Sequence, residues 1–106
     1  MTPPEHSVNL TYALSDDGFG APGERDAVRA HQARLADVIE AAGAGEVDGH
    51  EFGGGRVVIF AYGPDADRLF AAMEPHLRAL PNRPAHAVLR YGDVDDPTAT
   101  ERRVEL

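Results

Sequence analysis

Five consecutive apolar residues, Val57-Val58-Ile59-Phe60-Ala61, stand between Gly53-Gly54-Gly55 on one side and Gly63-Pro64 on the other. A run this short, with three β-branched members and turn residues at both ends, is a strand. Because it is apolar on both faces, it belongs in the interior of a sheet, and the other elements must be arranged around it. Neither it nor any other apolar stretch in the chain is long enough to cross a bilayer.

Upstream, residues 7–14 alternate. Val8, Leu10, Tyr12 and Leu14 point one way, Asn9, Thr11 and Ala13 the other, as in a half-buried strand. Residues 16–23 break the chain into a loop. From 24 to 42 the apolar spacing becomes helical, with Val28, Leu35, Val38, Ile39 and Ala42 on one stripe. Glu24 and Asp26 suit its N-terminal end, and Gly43 is a stop signal. Residues 45–52 read as a weak polar strand turned by the three glycines into the 56–62 strand. Gly63-Pro64-Asp65 opens a second helix, with Pro64 expected at its first position and Ala66, Leu69, Phe70, Met73, Leu77 and Leu80 inward. Pro75 should kink or shorten that helix. Residues 85–91 form a further strand, and 101–106 offer an extra C-terminal edge strand.

The order is β-α-β-β-α-β. Two crossovers joined by a central hairpin give an α+β, ferredoxin-like two-layer sandwich with an antiparallel sheet. A chain of 106 residues makes one such domain, with 1–6 and 93–100 as loop or tail. Two helices cover one sheet face and leave the other for water, a partner or a ligand. On the open face we expect Asn9, Thr11 and Ala13 from the first strand and His86, Val88 and Arg90 from the fourth. The second strand allows two choices: Asp48, His50 and Phe52 inward, or Val47, Gly49 and Glu51 inward. Each set carries a charge, so an edge strand is expected there, suited to adding a partner's strand.

Charge narrows the function. Eighteen acidic residues outweigh ten basic ones, every basic residue is Arg, and the net charge is −8. Schiff-base lysine chemistry is excluded, and a phosphate-backbone binder is disfavoured, because the arginines form no patch. Without Cys there is no disulfide, thiolate metal site or cysteine nucleophile. The first residues lack the basic start and apolar run of a secretory signal, so the cytoplasm is the expected location.

Asp48-Gly49-His50-Glu51 is the densest polar group beside the core, but neighbouring strand residues point to opposite faces, so His50 and Glu51 do not chelate one ion. Asp93-Val94-Asp95-Asp96-Pro97 starts like a calcium loop but has Pro97 and Thr98 where an oxygen ligand and the turn glycine are required. Gly53-Gly54-Gly55-Arg56 lies between two strands and is a hairpin turn, not a phosphate cradle. Neither a cofactor nor a metal is expected. His31, near the first helix stripe, reads as a packing residue, although a histidine between sheet and helices can serve as a general base. The acids Glu24, Asp26, Asp37, Glu40, Asp65, Asp67, Glu74, Asp93, Asp95 and Asp96 spread over helix and loop surfaces, which serves solubility or steers a basic protein.

The segments Gly45-Glu46-Val47-Asp48-Gly49-His50-Glu51 and Phe60-Ala61-Tyr62-Gly63-Pro64-Asp65-Ala66-Asp67-Arg68-Leu69-Phe70 resemble a group of small bacterial proteins of unassigned function. That resemblance spans about residues 45–92 and singles out Asp48, Gly49, Glu51, Tyr62, Gly63, Asp65 and Asp67. In layout and acidity the chain is also similar to the regulator of ribonuclease activity B family, which implies a protein that binds and restrains a ribonuclease. We therefore expect a non-enzymatic binder of a basic protein, with Asp48, His50, Glu51, Tyr62, Asp65, Asp67 and Arg90 at the contact. It would bind neither nucleic acid nor membrane, and self-pairing through the open face or edge strand is allowed for. The rivals are a small enzyme with a pocket between sheet and helices, and a structural dimerisation module.

Overall fold

The computed structural model describes residues 5–14, 18, 22–78, 86–93 and 95–106. The chain runs β1 (His6–Ala13), α1 (Pro22–Ala42), β2 (Glu46–Gly53), β3 (Arg56–Gly63), α2 (Ala66–Arg78), β4 (His86–Arg90) and β5 (Glu101–Glu105). These form a five-stranded antiparallel sheet in the order β2-β3-β1-β4-β5. This is the ferredoxin-like βαββαβ sandwich with β5 added at the β4 edge. Phe19, Leu80 and Val94, each part of an expected element or loop, lie outside the described residues.

β3 is interior, as its two apolar faces require, flanked by β2 and β1. Val57, Ile59 and Ala61 are fully buried beneath the helices, while Val58, Phe60 and Tyr62 are half-buried on the opposite face. β1 holds the middle of the sheet and buries Val8, Leu10 and Tyr12 as its alternation requires. Ala87 and Leu89 do the same from β4. Leu35 and Ile39 of α1 and Leu69, Phe70, Met73 and Leu77 of α2 close the core above them.

The connections are made by local rules. Gly54 and Gly55 take φ of 60° and 78°, the two left-handed residues of a type I′ hairpin. α1 starts two residues before the expected point, with Pro22 in first place, where its missing N–H leaves nothing unpaired. It ends in a Schellman motif: Gly43 has φ 62°, its N–H donates to the Glu40 carbonyl, and Ala44 N–H donates to the Ile39 carbonyl.

α2 opens two residues later than its proline signal suggested. Pro64 precedes the helix and Asp65 is its cap, with Oδ1 accepting from the N–H groups of Asp67 and Arg68 at 3.0 and 3.3 Å. His6 Nδ1, from the start of β1, accepts the N–H of Ala66 at 3.1 Å. Pro75 does not end α2, which continues to Arg78, the last described residue of that segment.

β2 answers neither expected pattern. A bulge lies between Val47 and Gly49, so Val47 pairs with buried Ala61, and His50 and Phe52 pair with buried Ile59 and Val57. The extra residue, Asp48, switches the phase of alternation. Val47, His50 and Phe52 thus share the helix side, and Glu46, Gly49 and Glu51 share the open side.

Candidate functional site

The register fixes what the open face presents. Across the sheet, one row reads Glu46, Tyr62, Ser7, Arg90, Glu101; the next reads Gly49, Phe60, Asn9, Val88, Arg103; the third reads Glu51, Val58, Thr11, His86, Glu105. Val58, Phe60, Tyr62 and Val88 form an apolar centre, half-exposed because both helices pack on the other side. Between Phe60 and Val88, Asn9 Oδ1 is buried with no donor among the described residues.

The charges on this face are unequal. On the β5 flank, Glu101 pairs with Arg90 at 3.1 Å and Glu105 with Arg103 at 2.6 Å. On the β2 flank, Glu46 and Glu51 are exposed and have no ion pair among the described residues. One edge of the apolar centre is therefore negative and the other close to neutral.

The seven expected contact residues do not converge. Tyr62, Glu51 and Arg90 lie on the open face. Arg90, however, is held by Glu101 and by the carbonyls of Asp93 and Asp96 at 3.2 and 2.5 Å, closing the 91–100 loop onto β4. Asp96 fastens the same loop by accepting from the N–H and hydroxyl of Thr98, which hold its carboxyl below the usual range. Asp65 is the α2 cap. Asp67 accepts the Tyr91 hydroxyl at 2.6 Å, a bond that raises the Tyr91 pKa, and lies 3.7 Å from Arg102. These three side chains are engaged within the fold.

Asp48 projects from the bulge into solvent, and His50 lies on the side of β2 opposite Glu51. His50 Nδ1 is 2.5 Å from Gln32 Oε1 of α1, and its ring meets Phe52 edge-on at 5.1 Å. Together with Arg29, Ala33, Ala36 and Val47, this pair lines an open groove of about 190 Å³ between α1 and β2. Among the described residues no three His, Asp or Glu side chains come together in a way that holds a metal.

One polar pair went unread in the sequence. His31, expected as a packing residue, is buried, and its Nε2 lies 2.6 Å from the buried hydroxyl of Tyr12. The rings meet edge-on at 5.6 Å. His31 Nδ1 is buried without a partner among the described residues. Burial holds the imidazole below its usual pKa, and the charges of His76 and Arg34 add to this. Burial pushes the Tyr12 phenol well above its usual range. The signal was present in two halves: an inward tyrosine on an alternating strand and a histidine on a helix stripe.

No family model, curated protein or solved structure matches the chain.

Proposed function

We propose that this protein is a non-enzymatic cytoplasmic binding module that holds a basic protein against the open face of its sheet. The observation that carries the reading is the half-exposed apolar centre of Val58, Phe60, Tyr62 and Val88 beside Glu46 and Glu51, which have no ion pair among the described residues. Apolar side chains supply contact area, and the acidic flank favours a cationic partner over a neutral or acidic one. A second copy fits less well. A two-fold centred on Asn9 sets Glu46 and Glu51 of one copy against glutamates of the other, whether it runs along or across the strands. The net charge of −8 adds long-range repulsion between copies. A ribonuclease is the first partner to try, on the resemblance in layout and acidity to the regulator of ribonuclease activity B family.

The test is binding of a purified basic ribonuclease to the immobilised protein at about 50 mM and about 500 mM salt. The reading requires binding that weakens at least about ten-fold with salt and is lost in Phe60→Ser, with the fold checked by circular dichroism. Binding indifferent to Phe60→Ser, or a homodimer that this substitution dissolves, overturns it.

A small enzyme is the second reading, favoured by the buried Tyr12–His31 pair, whose Nδ1 has no partner among the described residues. It requires a small ligand from a fragment panel to shift the His31 imidazole resonances, and a panel that leaves them unmoved removes it.

A further inference from the structure

We infer that the outer edge of β2, with the groove beneath α1, is a docking site for an extended segment of alternating basic and apolar residues that joins the sheet as another strand. The site shares the acids Glu46 and Glu51 with the open face but does not use its apolar centre of Val58, Phe60, Tyr62 and Val88. β2 ends the strand order and, among the described residues, pairs with β3 alone. Beyond the bulge, Gly49 to Gly53 pair regularly with β3, so the opposite edge of that stretch presents an ordered row of backbone donors and acceptors. Such an edge is a template for strand addition, with main-chain bonds giving affinity and side-chain pockets giving selectivity.

The pocket lies where an added strand needs it. α1 packs against β2, and its small residues Ala33 and Ala36 line the groove together with Val47, with Arg29, Gln32 and His50 as polar walls. At about 190 Å³ the groove is smaller than the roughly 300 Å³ at which small-molecule sites begin, and it suits a single aliphatic side chain.

Alternation decides the remainder of the segment. Side chains of an added strand on the helix side enter the groove, and those on the other side lie beside Glu46 and Glu51, with exposed Asp48 at the bulge. Like charges set opposite each other on paired strands are destabilising, so another copy of β2 is rejected while Lys or Arg is accepted. The bulge and the acids, which guard the edge against self-pairing, therefore leave it open to one class of partner.

A seven-residue peptide of alternating Lys and Val, capped at both ends, is the probe. The comparators are the same residues in two blocks and the alternating peptide N-methylated at every second position. Each is titrated into isotopically labelled full-length protein and followed by amide shifts. The expected result is binding at least about ten-fold tighter for the alternating peptide than for either comparator, with shifts at Gly49 to Gly53 and Ala33 to Ala36. Ala36→Leu, which fills the groove from an accessible helix face, should abolish it, and Phe60→Ser should leave it unchanged. Equal binding of the block peptide, shifts centred on Val58 and Phe60, unaltered binding in Ala36→Leu, or no binding at roughly 1 mM peptide overturns the site.

Discussion

Replacing Tyr12 by Phe removes one oxygen from the core and keeps the ring that fills it. The 2.6 Å contact to His31 Nε2 disappears, and since His31 Nδ1 is already buried without a partner among the described residues, neither ring nitrogen then has a partner among them. A buried polar group deprived of its partner costs about 1–3 kcal/mol. For 106 residues the unfolding entropy is roughly 0.2 kcal/mol per kelvin, so the midpoint should fall by roughly 5–14 °C. Urea melts at pH 8 followed by circular dichroism measure the loss, with Tyr62→Phe on the open face as the control expected to stay within about 0.5 kcal/mol. The pair also sets a pH window. His31 has a lowered folded pKa, so the unfolded chain binds the extra proton first, and stability falls as pH drops below about 6.5. Tyr12 has a raised folded pKa, so the unfolded chain ionises first, and stability falls as pH rises above about 10. Between those limits this pair contributes no slope. A Tyr12→Phe protein as stable as wild type at pH 8 would refute the role assigned to the pair.

Other perturbations check other parts of the structure. In His31→Leu the acid limb of the stability profile should flatten; an unchanged limb assigns it to another histidine. Gly63→Ala places a Cβ 2.1 Å from the Ala44 carbonyl oxygen and should cost about 2–3 kcal/mol in thermal melts, whereas Gly53→Ala, with nothing within 4 Å, should cost less than about 1. Asp65→Ala removes the α2 cap and should cost about 1 kcal/mol, with faster amide exchange at Asp67 and Arg68.

β1 and the helices were legible because their burial follows an unbroken period, so Val8, Leu10, Leu69 and Met73 could each be assigned a side, and β3, apolar on both faces, could be placed inside the sheet with no side chosen. β2 was not, because Asp48 is an extra residue and a period of two cannot be carried across it. His50 and Glu51 were correctly parted, but the alliance of His50 with Val47 and Phe52 depends on the bulge. Arg90 was expected at the contact on the open face; its engagement was not legible because two of its partners are loop carbonyls, which no residue pattern announces. Asp65 was read as a helix-start residue and is one; only the neighbouring proline was placed two positions too far in.

The position of β1 has a consequence for how the chain is made. It is the middle strand, yet both its neighbours, β3 and β4, come later in the sequence. During synthesis at roughly 5–20 residues per second, Ala13 precedes the completion of β3 by several seconds, and β4 by longer still. For that interval Val8, Leu10 and Tyr12 have no sheet to enter, so the segment that becomes the most protected is exposed to chaperones and to neighbouring nascent chains for longest.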